Sequence, residues 1–190
     1  MPRPFAVLAL CALALTGLAA PAVAQTFAID NSHASVLFFA KHFGFSTTAG
    51  RFNTVAGEFT IDEKDASKSS VKLEIKVDSL ETNDAKRNEH LRGPDFFDVK
   101  QFPSATFQST AVKASGDTYD VTGDLTIKGV KKSVTLKLKR NATGEDPWKN
   151  VRTGFDGELV INRNDFGVNG LPPVVGPDIK LWLSIEGIKK

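Results

Sequence analysis

The chain has 190 residues, with 24 Lys and Arg against 22 Asp and Glu and a formal net charge of +2. A balance this close to neutral excludes the clustered positive excess by which proteins hold nucleic-acid phosphates, so no nucleic-acid partner is expected. The single cysteine, Cys11, excludes a disulfide framework and leaves an apolar core to hold the fold.

The N-terminus reads as a secretory leader. Arg3 gives one positive charge, the apolar run from Phe5 to Leu18 is short for a membrane span, and Ala22-Val23-Ala24 offers small residues to a signal peptidase. Cleavage is expected after Ala24, leaving residues 25–190 as one exported domain with no stable insertion in the membrane. An uncleaved anchor is the alternative, and the mass of the mature N-terminus separates the two. Cys11 follows Leu10 where a lipid-bearing cysteine would follow a small residue, so lipidation is rejected. Loss of Arg3, the sole charge in the leader, leaves 23 basic against 22 acidic residues.

Beyond the leader the hydrophobic period is two. Ala34–Lys41 places Ala34, Val36, Phe38 and Ala40 on one face with His42 next in line. Gly50–Asp62 follows, then Ser70–Leu80, where Val71, Leu73, Ile75 and Val77 alternate with Lys72, Glu74, Lys76 and Asp78. Such alternation means strands with one dry face and one wet face. The pattern stops at Glu81–Phe102. There Asn83 can cap a short helix through Leu91 that sets Arg87, His90 and Leu91 on one face. Gly93-Pro94 ends that helix and Asp95-Phe96-Phe97-Asp98 makes a second turn, so the helical segment spans about 83–99. Its phenylalanines can plug one end of a barrel, with Phe97 the candidate against a ligand; a plain surface lid is the equal alternative.

Strands resume with Ala105–Ser115, Tyr119–Ile127, Val134–Lys139, Phe155–Ile161 and Ile179–Ile185, while Asn164–Pro177 is too rich in Gly and Pro to be regular. Eight strands joined by short polar turns must be antiparallel. They make a sandwich or a closed barrel, and length and turn spacing favour the barrel. A membrane barrel would crowd Lys and Glu into a narrow lumen and would show aromatic girdles, which this sequence lacks. An eight-stranded soluble barrel either fills with its own side chains or holds one small ligand, and periodicity leaves both open.

Chemistry-bearing motifs are few. His33 and His42 are nine residues apart and face opposite ways on a continuous strand, and no HExxH or Cys/His cluster occurs, so no metal site is expected. No nucleophile elbow, phosphate loop or CxxC pair is present, and neither a cofactor nor catalysis is expected. Two polar groups stand at strand ends beneath apolar walls: His42, and Arg163, the next inward position after Phe155, Leu159 and Ile161. That placement suits an amphiphile with its tail in the barrel and its head at the rim. For Arg163 the alternative is a pair with Asp165; His33 reads as part of an Asp30-Asn31-Ser32-His33 turn.

Several stretches together resemble the YceI family: IDNSHASVLFFAKHFGF from Ile29, GRF from Gly50, RNEHLRGPDFFD from Arg87, FPSATF from Phe102, VTGDLTIKGVKK from Val121 and INRNDFGV from Ile161. The resemblance covers essentially the whole mature chain. It implies a lipocalin-like antiparallel barrel in the bacterial periplasm, with a hydrophobic tunnel for a long-chain isoprenoid or similar amphiphile that is transported, stored or sequestered. Dimers occur in the family, which makes a homodimer a further state to test. By motif position it implies site roles for His33, Phe38, His42, Arg87, His90, Leu91, Arg163 and Asp165, with Ala34 standing where many members carry Ser. The competing readings are an enzyme on the same lipid class using His42 or His90 as acid or base, and a stress-related structural protein with a filled core.

Overall fold

The structure, a computed structural model, describes residues 24–190; the expected leader and Cys11 lie outside the described residues. The strands are β1 (Gln25–Ile29), β2 (Ser35–His42), β3 (Ser46–Phe52), β4 (Val55–Ile61), β5 (Ser70–Lys76), β6 (Leu80–Glu81), β7 (Ser104–Ser115), β8 (Thr118–Ile127), β9 (Val130–Glu145), β10 (Val151–Asn162) and β11 (Val175–Lys189), with one α-helix, α1 (Ala85–Arg92), between β6 and β7. All pairings are antiparallel, and β1 pairs with both β4 and β11, which closes the ring β1-β4-β5-β7-β8-β9-β10-β11.

The expected eight-stranded barrel is present, with three of its strands bent. β11 pairs along one edge with β1 through Gly187–Lys189 and with β2 through Val175–Ser184, so β1 and β2 are one strand broken at a 3-10 turn, Asn31–His33. β3 and β4 break at Asn53 and Thr54, and β5 and β6 at the 3-10 turn Val77–Ser79. Side chains satisfy the backbone at these corners, as buried or bent backbone requires. Asn31 Oδ1 accepts the Val55 N–H at 2.6 Å, and Ser79 Oγ accepts the N–H groups of Asn53 and Thr54 at 3.1 and 3.0 Å.

The corners divide the barrel into two ends. At the lower end the ring is closed and aromatic: Phe27 stacks on Phe59 at 5.3 Å, and Phe155 meets Phe59 and Tyr119 edge-on at 5.6 and 5.4 Å. At the upper end β3 pairs only with the two residues of β6 on its far side, and β7 is not its neighbour. The segment 82–103 fills that opening, as the Phe-Phe stretch suggests. Its helix begins one residue later than expected. Asn83 adopts a left-handed φ of 62°, whereas Asp84 has the extended backbone a cap requires and accepts the Arg87 N–H at 2.8 Å. Among the described residues no helix is long and apolar enough to cross a membrane.

Candidate ligand-binding site

The upper half of the barrel encloses an apolar cavity of about 120 Å³. Val36, Phe38 and Ala40 form one wall, because alternate residues of β2 face the interior. Ile161, Ile179 and Leu181 form another, Leu125 and Ile127 a third, and Leu91, Phe96 and Phe97 roof it. Gly50 is what admits the Phe38 ring, since a Cβ there would lie 2.2 Å from its Cζ. The roof is fixed from beneath by Asn88, which is buried. Its Oδ1 accepts the N–H and hydroxyl of Thr82 at 2.8 and 2.6 Å, and its amide donates to Glu81.

Arg163 is the one charged side chain in the lining, and it is 5% exposed. Inward parity places it as expected, but the pair with Asp165 is not made: Asp165 is exposed and Arg163 meets no carboxylate. The guanidinium donates instead to the carbonyls of Val168, Gly170, Val175 and Gly176, at 2.6 to 3.1 Å. Burial pulls its pKa down from the usual arginine value; the fork still carries its charge, because arginine has range to spare. The 163–176 loop, which has no periodicity of its own, is thereby wrapped around one side chain.

The structure brings Phe38, Leu91, Phe97 and Arg163 together around the cavity. His42 lies on the same face of β2 as Phe38 and Ala40 but beyond the lining, exposed at the strand end, with its ring 4.9 Å from that of Phe43. Arg87 and His90 share the helix with Leu91 but turn elsewhere. Arg87 donates to Thr82 Oγ1 and the Thr82 carbonyl at 2.8 and 2.6 Å, and His90 faces Asp95 at 3.1 Å and the Phe96 ring edge-on at 5.0 Å. Sequence reasoning passes over Phe96 and Val175 as lining residues. Phe96 sits in a turn, and Val175 opens β11 ahead of a register shift that separates it from Ile179, so parity tells for neither which way the side chain points, although the Phe96-Phe97 pair flags its neighbourhood.

A second apolar cavity of about 50 Å³ lies below the first. The interior is therefore not solid, and two apolar spaces follow one another along it. Along each strand the lining changes from upper to lower: Ile75 to Leu73 on β5, Leu125 to Val121 on β8, Leu181 to Leu183 on β11. On β7 it changes from Ala105 to Val112, and Phe107 stands between them, 4% exposed and lining neither space. Its ring lies over Gly123, where a Cβ would be 2.6 Å from the ring's Cζ. Phe107 is part of the partition.

His33 belongs to a different place, the β1–β2 corner at the lower end. Its Nδ1 is 3.0 Å from Asp30 Oδ2, and Asp30, His33 and Glu186 are the one grouping of three potential metal ligands among the described residues. Arg152 occupies the same cluster, donating to Asp30 at 2.8 Å, to Glu186 at 2.5 Å and to Asp146 at 2.6 Å. The guanidinium already supplies the positive charge these carboxylates need. The Ser32 hydroxyl, Arg152 and His33 together hold the Asp30 carboxyl well below the usual range.

The chain is similar to known proteins in sequence and in fold. A protein of Pseudomonas aeruginosa called UPF0312 protein is 43% identical over 192 residues, covering 100% of both chains, and one from Yersinia pestis is 42% identical over 93% of both. Among solved structures, Burkholderia cenocepacia BcnA superposes with a TM-score of 0.76 at 29% identity, covering 83% of this chain and 98% of its own. A domain from Saccharophagus degradans described as polyisoprenoid binding gives 0.67 at 17% identity over 86% of this chain and 98% of its own, a likeness of fold. Residues 27–187, from the first closing strand to the last, match the YceI-like domain. With the bent barrel, the helical roof and the motifs in one order, the chain belongs to the YceI family.

Proposed function

We propose that the chain is a non-catalytic carrier that holds the apolar tail of an isoprenoid or similar amphiphile, serving its transport, storage or sequestration in the periplasm after removal of the leader at Ala24. The observation that supports this most is the lining of the upper cavity: apolar except for Arg163, four of whose five donors go to backbone carbonyls. Such a space is dry and favours hydrocarbon, at roughly 25 cal/mol per Å² buried before the costs of association. The polyisoprenoid-binding description of the Saccharophagus relative supports the same class of ligand.

Size refines the reading. An apolar cavity of roughly 150 Å³ takes a guest about as large as benzene, so about 120 Å³ accepts one branched unit of a tail. A longer chain needs the roof to lift or the partition at Phe107 to yield. Phe38, Leu91 and Phe97 would touch the tail, and His42 at the mouth is the candidate for the head group. Arg87, His90, His33 and Asp165 stand outside the lining, where only a head group that extends past the rim would reach them.

Lipid extraction and mass spectrometry of the protein purified from the envelope test this, with titration of a fluorescent prenol beside them. A co-purifying amphiphile and saturable prenol binding are expected. If neither is found, the carrier reading fails. His42→Ala is expected to weaken binding without any turnover of lipid in either form, and a product that disappears in His42→Ala or His90→Ala would instead make the protein an enzyme.

A further inference from the structure

Large apolar side chains stand in water at the mouth of the upper cavity. Phe43 and Phe45 occupy the tip of the β2–β3 hairpin, 53% and 90% exposed, and Leu171, 46% exposed, lies in the neighbouring loop. The Phe43 N–H donates to the Val174 carbonyl at 2.9 Å, which ties the two segments together. Neither Phe43 nor Leu171 sits where such residues sit by default. Their φ angles are 48° and 51°, in the left-handed region that glycine and asparagine take readily and bulky side chains resist. The three-residue connection 43–45 closes from the Phe45 N–H to the His42 carbonyl at 3.0 Å, with Phe43 and Gly44 at the two central positions of that turn, both at positive φ, which asparagine and glycine fill without strain. Strained backbone that holds apolar rings in solvent points to a use for the rings.

The charge around them is one-sided. Lys41 flanks the tip, and no Asp or Glu occurs at residues 41–52 or 166–177, although the exposed Asp165 and Asp178 border the second segment. Asp95, on the roof, is engaged by His90. Exposed aromatics beside the Lys41 ammonium, with no carboxylate within the two segments, complement a bilayer interface that contains anionic lipid. A second copy of the chain fits less well, because a symmetric tip-to-tip contact would set Lys41 against its own copy. We propose that this tip docks on an anionic lipid surface and so presents the cavity mouth, lined by Ala40 and Val175 of the same two segments, to the bilayer. The docking is separate from whatever the cavity holds.

Co-sedimentation of the purified protein with vesicles of phosphatidylethanolamine and phosphatidylglycerol, against vesicles of phosphatidylcholine, tests the proposal. Binding to the anionic vesicles is expected, and it should weaken as salt rises. Phe45→Ser removes a ring whose aromatic neighbour is Phe43 alone, at 6.5 Å, and should weaken binding about tenfold or more. Trp148→Ser removes a ring 76% exposed in the β9–β10 turn at the opposite end of the barrel, and should change nothing. Fluorescent prenol binding, read in the same samples, should be unaltered in Phe45→Ser. The proposal is overturned if anionic vesicles are not bound, if both variants lose binding equally, or if Phe45→Ser dissolves a dimer while vesicle binding persists.

Discussion

Phe107 shows how much one side chain decides in a barrel this narrow. Its cross-strand neighbours are Leu73 and Leu125, of which the first lines the lower cavity and the second the upper. The ring lies across the boundary because Gly123 on β8 leaves it room. On the carrier reading, Phe107 therefore sets how long a tail the protein takes. Phe107→Leu keeps an apolar side chain and costs roughly 1–2 kcal/mol of stability, against roughly 3–5 for Phe107→Ala, so the milder variant should stay folded. Its expected effect is selective: affinity for a long prenol relative to a short one rises about tenfold, since each extra buried methylene contributes about 0.8 kcal/mol. Titrating two prenols of different length into wild type and variant measures the ratio. An unchanged ratio in a variant with a cooperative melt would remove Phe107 from any role in length selection.

At the scale of elements, regular and irregular structure were unequally legible. Strands with a wet and a dry face announce themselves through period two, and Val71, Leu73 and Ile75 of β5 needed nothing more. β1 was hidden because five residues beside the leader carry too little alternation to register. The corners were hidden too, since Asn31 and Ser79 act on backbone some 24 to 26 residues away in sequence. Arg163 falls between these cases. Parity along β10 put it inward, but its partners are carbonyls, which every residue has, so no residue pattern could reveal them. The 163–176 loop depends on those bonds, and this dependence can be measured. Arg163→Leu strands several carbonyls in a poorly hydrated place, at an expected cost of about 3 kcal/mol and a fall in melting temperature of about 6–12 °C. Hydrogen exchange should accelerate in residues 163–176 well before the rest of the barrel. Uniform acceleration across all strands would mean that Arg163 supports the barrel as a whole and not this loop.

The whole molecule is closed at its lower end by Arg152, which joins the β1–β2 corner through Asp30, the β9–β10 turn through Asp146 and the closing strand β11 through Glu186. A surface pair between residues three apart, such as Lys68 with Asp65, holds no segments together. Arg152 bridges segments up to 122 residues apart, so its removal should destabilise the protein more than removal of any such pair. The pH dependence gives the sharper check. The Asp30 carboxyl is lowered by the Ser32 hydroxyl, Arg152 and His33; burial works upward on Asp146, and its bonds from Arg152 and Asn150 outweigh that. Both carboxylates thus titrate lower in the folded chain than the value of about 3.9 expected in the unfolded one. Their contribution is complete above that value and is lost as pH falls below it, because the unfolded chain then takes up protons that the folded chain resists. Arg152→Leu should accordingly be less stable than wild type near pH 7, with the difference shrinking as pH falls from about 4 towards about 2. Urea unfolding of both proteins across that range gives the two curves. Parallel curves would show that Arg152 acts by packing its stem and not through the carboxylates it holds, and the electrostatic account of barrel closure would then be wrong.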